Sequence, residues 1–367
     1  MRFVLPLYQP PDFSVAPLAS APPARFHPAP ADGVAPDDFH ATTIFPEYFQ
    51  LAPGQWRLAE ESRMDCVVVR QSDGTLAVRE FRHLCAGDLV AVGRSETGEE
   101  GIFVHAHPFA AAVETAEPFA FRTRTSRESA FSSDYDELYA LLRHERESGY
   151  ILWVAGPALV FDRDARRAFV QLIAAGYVHG LLAGNALAVH DTEAAIFGTA
   201  LGQDLYRSHA ETQGHYHHLD AINALRRAGS LAVAQTAGLL GDGVLAALLG
   251  HDIPFVLAGL IRDDGPLPAV ISDACLAQDR MRRLCREATT VIGLATQLHT
   301  IAAGNLTPCF RVLDDGRIRP VYFYEVDISE FAATKLANRG SLTARAILTN
   351  VQDFVVTLER GLKRHYQ

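Results

Sequence analysis

Cysteine is scarce in this chain, five residues in 367. Cys66, Cys85, Cys275, Cys285 and Cys309 are scattered and odd in number. No pair has zinc-ligand spacing, and a disulfide framework is excluded as an organising device; both features point to a reducing, cytoplasmic setting. Long hydrophobic runs are missing as well. None approaches the roughly 20 residues of a membrane span, and prolines interrupt the short apolar start "MRFVLPLYQPPDF", so neither a membrane nor a signal peptide is expected. Positive charge is short: the formal net charge is −10 and the pI about 5.8. Such a chain repels phosphate backbones, which excludes nucleic acid as a partner unless a basic patch exists. The arginines of "RAFVQLIAAG" and "MRRLCREA" read as solvated helical faces. No serine or cysteine sits in a nucleophile elbow or dyad. The usual glycine-rich dinucleotide fingerprint is absent too: in "GLLAGNALAVHDTE" (180–193) no second glycine stands two residues after Gly184.

What is present is a large apolar fraction, 49% against 21% charged. That is enough for a buried core, and the length suits two domains. Residues 1–37 hold nine of the nineteen prolines and read as an extended, Pro-rich leader. Residues 38–145 read as a smaller β-rich α+β domain. "DCVVVRQSDGTLAVREFRHL" is a hairpin around Ser-Asp-Gly, "GDLVAVG" and "EGIFVHAHPF" are further short strands, and a helix begins near Asp134 with Leu138, Leu141 and Leu142 at helical spacing.

From Tyr150 onward strands and helices alternate. "YILWVAGPALVF" is a buried strand ending in Gly-Pro, and "DRDARRAFVQLIAAG" is a helix with Gly176 as its stop. Strands "YVHGLLAG", "IPFVLAG", "TTVIGLA", "PVYFYEVD" and "ARAILTN" follow. The helices include "HLDAINALRRAGS", "DACLAQDRMRRLCREA", "SEFAATKLANRG" and "VQDFVVTLERGLKR". The fold class is therefore α/β, with a Rossmann-like, doubly wound parallel domain over 146–367.

Ligands of such sheets bind beyond the carboxyl ends of the strands. The residues there are Gly156 and Pro157; Gly184, Asn185 and Ala186; Arg262, Asp263 and Asp264; Thr296, Gln297, Leu298 and His299; Asp327; and Asn350 with Val351. Asp327, closing a strand, suits a pair of ribose hydroxyls, and Asn350 or Gln297 suits a carboxamide or ribose. Any one of these also reads as an ordinary turn residue. Asp263 and Asp264 can bind an ammonium group or take its proton. His190, Asp191 and Glu193 read either as acid–base groups or as the start of a helix capped by Asp191 or Thr192. His215, His217 and His218 have no acidic or cysteine partner at ligand spacing, so no metal is expected.

The motifs "HATTIFPEYF", "RMDC", "VAGPALV", "LLAGNALAVHDTEAAIFGTALG", "HHLDAIN", "PFVLAGLIRDDGPLP", "ATQLHTIAAGN" and "TKLANRGS" span about residues 38–355. In them the chain resembles the NAD-dependent ornithine cyclodeaminases of archaeal type. That family also forms the C-terminal part of bifunctional arginine dihydrolase/ornithine cyclodeaminases, and its conserved-domain name refers to lysine-oxoglutarate reductase/saccharopine dehydrogenase. The resemblance implies a deoxyhypusine-synthase-like NAD-binding domain, with cofactor contacts at Asn185, Ala186, Asp263, Thr296, Gln297, Leu298, His299, Asp327, Asn350 and Val351. The chain departs from the family at Gln213-Gly214-His215, at "DISE" after Asp327, at Asn350, and in an insertion near "FRVLDDGRIRPVYFYE". The leader replaces any guanidine-removing domain.

The implied reaction is redox-neutral. A hydride leaves the α-carbon of ornithine for NAD, the side-chain amine attacks the imine, ammonia leaves, and the hydride returns to give proline. The carboxylate expected near the substrate ammonium is Asp264, then Asp191, with His190 or Glu193 as a supporting proton carrier. Arg63 is placed to hold the α-carboxylate if the N-terminal domain caps the cleft. The alternatives are a dehydrogenase or cyclase acting on another diamino acid, and a non-catalytic NAD-binding regulator. The resemblance also implies a homo-oligomer, dimer or tetramer, for which "AAIFGTALG" and "GLLGDGVLAALLG" offer apolar surface that core packing explains equally well.

Overall fold

A computed structural model describes residues 3–110, 131–207, 209–261, 263, 265–329 and 343–363. The N-terminal part is antiparallel. Strands β1 (Arg25–Pro28), β2 (Glu47–Ala52), β3 (Gln55–Ala59), β4 (Val67–Arg70), β5 (Leu76–Arg79), β6 (Leu89–Val92) and β7 (Ile102–Val104) form two sheets, β1-β6-β4-β5 and β3-β2-β7. The expected hairpin is β4–β5, with Asp73 accepting from the Thr75 N–H at 2.9 Å and Gly74 at φ +82°. Phe49, Cys66, Val68, Val78, Ala91 and Ile102 fill the space between the sheets.

Part of the Pro-rich leader is folded in. β1 pairs with β6, Phe13 stacks on Trp56 with ring centroids 4.8 Å apart, and Phe3 packs edge-on against Tyr322. The leader is not extended throughout, since it makes a 3-10 turn at Leu18–Ser20, and it runs from the second domain to the first.

The helix expected at the end of the first domain, α1 (Phe131–Ser148), packs instead with the second: its Leu138, Leu141 and Leu142 are buried in that domain's core. Then follow β8 (Ile151–Ala155), α2 (Arg163–Ala174), β9 (Gly180–Gly184), α3 (Asn185–Phe197), a two-residue hairpin β10 (Thr199–Ala200) and β11 (Gln203–Asp204), α4 (His217–Ala228), α5 (Leu231–Thr236) and α6 (Val244–Gly250). The chain continues through β12 (Phe255–Ala258), β13 (Val270–Ile271), α7 (Ala274–Glu287), β14 (Thr290–Leu294), α8 (Gln297–Leu306), hairpin β15 (Phe310–Val312) and β16 (Ile318–Pro320), β17 (Tyr322–Asp327), β18 (Ala344–Leu348) and α9 (Val351–Lys363). The segment "FRVLDDGRIRPVYFYE" forms the β15–β16 hairpin and leads directly into β17. The helix expected in "SEFAATKLANRG" lies, from Glu330 on, outside the described residues.

Seven strands form one parallel sheet in the order β13-β12-β9-β8-β14-β17-β18. Its central strands β8, β9 and β14 are buried at every position, which is why they read as unbroken apolar runs rather than alternating ones. Alternate side chains feed two layers. Trp153, Leu181, Ile292 and Tyr324 pack with α1, α2, α6 and α9. Leu152, Leu182, Val291 and Phe323 pack with α7 and α8. Leu240, Val244, Leu245 and Leu248 belong to the first layer, so the apolar run "GLLGDGVLAALLG" is largely core.

The two domains meet along α7. Arg282 bridges Glu80 and Asp279, Arg82 reaches Asp279 at 2.9 Å, and Arg286 reaches Glu61 at 2.7 Å.

Chain order runs outward from β8 to β13, then returns to β14 on the other side of β8. This reversal is the switch point at which a parallel sheet opens a crevice. Gly156 sits there, its N–H donating to Leu294 O at 2.8 Å. A Cβ on Gly156 would overlap the Ala295 carbonyl, and backbone cannot move aside as a flexible side chain can. Gly156→Ala should therefore lower stability by about 1–3 kcal/mol, read as a reduced urea midpoint with unchanged m-value; an unchanged midpoint would show that the seam is soft.

Candidate active site

The crevice is floored by the ends of β8 and β14. Two helices start at it without a side-chain cap: α3 after Gly184 and α8 after Thr296. By contrast α2 and α7 are capped by Asp162 and Asp273, and Asn350 accepts from the Gln352 N–H at 2.7 Å at the start of α9. Uncapped N–H groups with the positive end of the helix dipole suit an anionic ligand.

His299, on the first turn of α8, is buried and lies over Gly184. A Cβ on Gly184 would come within 2.9 Å of the ring. That close approach is why this strand ends in glycine. The ring's Nδ1 lies 3.2 Å from Thr296 Oγ1. Burial pushes the His299 pKa down, opposed by the charge of Asp263, so the ring is neutral near pH 7. Asp263 also accepts from the Leu260 N–H at 2.7 Å, tightening the turn beyond β12. Thus Gly184, Asp263, Thr296 and His299, from three strand ends, converge.

Other expected cofactor residues fall differently. Asn185 is buried and its Oδ1 accepts from the Leu267 N–H at 3.1 Å, tying α3 to the loop before β13. Ala186 is half-buried on the first turn of α3. Gln297 and Leu298 are exposed on α8, Leu298 at 65%. Asp327 ends β17 with Oδ1 accepting from the Ser329 N–H at 2.8 Å. Asn350 is exposed, its Oδ1 accepting the Gln352 N–H, and Val351 is buried in the core, so a cofactor can meet Val351 only through its backbone.

Among the acid–base candidates, Asp264 lies outside the described residues, as does Arg262. Asp191 is fully buried, and its carboxylate is fully engaged. Oδ1 accepts from Arg166 Nε at 2.7 Å and the Val244 N–H at 3.1 Å, and Oδ2 from the Leu245 N–H at 2.8 Å. It caps α6 and, with Asp242, pairs a buried arginine, the contacts of a structural anchor. Nor does Asp191 or Thr192 begin a helix: α3 starts six residues earlier, at Asn185. Arg63 is likewise occupied, buried and paired with Glu80 at 2.7 Å, where it joins the inter-domain cluster rather than capping the crevice.

His190 is different. It is buried on α3, edge-on to Phe161, with Nδ1 3.0 Å from Glu193 Oε2. Phe161 directly follows the single 3-10 turn Pro157–Val160 that leads from the switch point. Glu193 also accepts from the Leu201 N–H at 3.1 Å and the Gly202 N–H at 2.8 Å. Burial alone would raise its pKa, but these bonds and His190 hold it below the usual carboxylate value. A carboxylate kept ionised against Nδ1–H leaves Nε2 as the proton-accepting nitrogen.

Sequence reasoning missed Glu325. It is 2% exposed and neither carboxyl oxygen has a hydrogen-bond partner. It lies in a niche over Gly293, beside Thr300 of α8, where a Cβ on Gly293 would overlap it. Burial first, then the charge of Asp327, push its pKa up to about 8, with Thr300 opposing. The signal available in the sequence was the acidic residue inside "PVYFYEVD", paired in register with a strand glycine. Among the described residues no three His, Cys, Asp or Glu side chains gather as a metal site, and no helix is long and apolar enough to cross a membrane.

The strand order, the switch-point crevice and the helices on both faces define a Rossmann-fold protein. A profile described as arginine dihydrolase ArgZ-like, C-terminal, Rossmann fold, matches residues 137–358, and the chain belongs to that family. It is 36% identical to an ornithine cyclodeaminase of Methanothermobacter thermautotrophicus over 95% of this chain and 81% of that protein. It is 39% identical to one of Methanopyrus kandleri, over 93% and 78%. A conserved LOR/SDH protein of Methanococcus maripaludis S2 superposes with TM-score 0.84 at 34% identity, covering 94% of this chain and 99% of that one. A ternary complex of AgrE with ornithine and NAD+ superposes with TM-score 0.59 at 33% identity, covering 95% and 46%.

Two outcomes follow from this geometry. Glu325 is protonated in the native state but ionised in the unfolded chain between pH 4.5 and about 8, so its contribution to stability is complete below that window and is lost as pH rises through it. Glu325→Gln should flatten the fall in Tm between pH 5 and pH 8.5, and an unaltered slope would contradict the assignment. Asp191→Asn should cost about 3–5 kcal/mol, because Arg166 then keeps only the exposed Asp242, 2.9 Å away, as its anionic partner. Denaturant melting checks it, and a loss under 1 kcal/mol would show that Asp191 is not the anchor described.

Proposed function

We propose that the chain is an NAD-dependent ornithine cyclodeaminase that converts L-ornithine to L-proline and ammonia. The observation that carries this reading is the meeting of two uncapped helix N-termini, α3 and α8, at a switch-point crevice where His299 closes over Gly184. The names of the relatives, and the ornithine and NAD+ in the AgrE complex, support it.

The residues present fit the cofactor. The backbone N–H groups of Asn185, Ala186 and Gln297 would hold its diphosphate, and Asp327 a ribose hydroxyl. His299 and Thr296 would line the space between, and Asp263 completes the wall. NAD, when bound, accepts and returns the hydride of the α-carbon. The protein supplies orientation and proton handling. An ammonium group must lose a proton before its nitrogen can donate electrons, and the departing ammonia must regain one. His190 Nε2 takes and returns that proton, with Glu193 fixing its tautomer and stabilising the imidazolium. Asp191 drops out of this set, being committed to Arg166 and α6.

Incubation of the protein with NAD and L-ornithine should yield proline by mass, with no steady rise in absorbance at the NADH wavelength. Net NADH accumulation would instead identify a dehydrogenase. His190→Asn, which still offers an N–H to Glu193, should lower kcat by about 10²–10⁴ while leaving Tm nearly unchanged; full turnover in that variant would remove His190 from the mechanism.

A further inference from the structure

Two separate motifs, "HDTE" and "QGHYHH", meet in space. Thr199 Oγ1 donates to Glu193 Oε1 at 2.9 Å and lies 2.9 Å from His217 Nδ1. A hydroxyl has one proton. With that proton given to the carboxylate, the second contact is His217 Nδ1–H donating to the threonine oxygen. His190 and His217 are therefore joined to the same carboxylate, one directly and one through a hydroxyl.

The join is built into the backbone. Gly202, at φ +71°, and Gly214 lie against each other so closely that a Cβ on either would overlap the other's main chain. This contact seats the β10–β11 turn under the entry to α4, aiming the Leu201 and Gly202 N–H groups at Glu193 and setting His217 over Thr199. His217 stacks on Phe197, with ring centroids 4.7 Å apart at 11°. It lines a surface hollow of about 510 Å³ with Gln213, Tyr216 and Asp220. His190 faces Phe161 and, across 6.5 Å between ring centroids, His218. Among the described residues, Glu193, His218, Tyr216 and Asp220 face the pair, while Asp191 is turned to Arg166.

We propose that His217 is a positioning residue which, through Thr199 and the shared Glu193 carboxylate, sets the proton affinity of the buried His190, so that the two histidines titrate as a coupled pair. A proton taken up by His217 at the hollow draws Glu193 toward Thr199 and weakens its hold on an imidazolium at His190. A charge on His190 opposes the second proton in the same way. The pH at the hollow thereby reaches a largely buried acid–base group. The consequence for catalysis rests on His190 being the acid–base group; the coupling itself does not.

The test is histidine-ring NMR titration of the full chain, with resonances assigned from the single variants. In the wild type the His190 curve should spread over two steps. His217→Asn should collapse it to one step and raise its midpoint by roughly 0.5–1 pH unit. In a Thr199→Val background the same His217→Asn change should move the midpoint less than half as far, while Thr199→Ser, which keeps the hydroxyl, should preserve the wild-type curve. A His190 titration unmoved by His217→Asn, or moved equally in both backgrounds, overturns the proposal. Coupled titration without ornithine turnover would leave this inference standing and remove the functional reading; turnover without coupling would do the reverse.

Discussion

β8 is paired on both sides, with β9 and with β14, and the chain reverses direction around it. The rest of the domain depends on that seam. The Gly156 N–H to Leu294 O bond holds the two strand ends together just where the sheet stops, and the missing side chain at 156 lets main chain meet main chain. Beyond the seam the ends of α3 and α8 are brought close enough for His299 to cover Gly184. Gly156 and Gly184 thus do related work: each is a place where another element comes nearer than a Cβ allows.

Two acidic side chains on one helix, Asp191 and Glu193, show how environment separates roles that sequence leaves together. Both are fully buried. Asp191 meets a guanidinium and the first turn of α6, so its charge is consumed by structure. Glu193 meets two backbone N–H groups, a hydroxyl and an imidazole, so its charge is kept ionised but directed at a group that can itself gain or lose a proton. Glu325 is the opposite case: burial and the charge of Asp327 outweigh Thr300 and keep it protonated. These three carboxyls occupy one domain, and surroundings rather than residue type set what each one does.

The parallel sheet was legible because its central strands are apolar at every position and are separated by helices with ordinary stops such as Gly176. The strand ends, and hence the crevice, followed from that alternation. What was not legible has physical causes. α3 begins inside a run of residues, "NALAV", with no polar cap, because its N-terminus is left open at the crevice. α8 was hidden for the same reason. β13 is two residues at the sheet edge, too short for any periodicity. The leader's strand β1 is disguised by its prolines. Asp191, Arg63 and Val351 looked functional because polar or motif-bearing residues near strand ends resemble one another in sequence, and only their partners tell anchors from ligands. The link from Glu193 through Thr199 to His217 joins positions 24 residues apart, held by two glycines that the sequence alone does not connect.

The proposed reaction requires one site that removes hydrogen from an amino-acid α-carbon and restores it to the same carbon without exchange with water. Turnover of L-ornithine deuterated at the α-carbon measures this directly. The account predicts proline that retains the deuterium at its α-carbon. Proline carrying hydrogen from solvent at that position, or label transferred permanently to the nicotinamide pool, would contradict it.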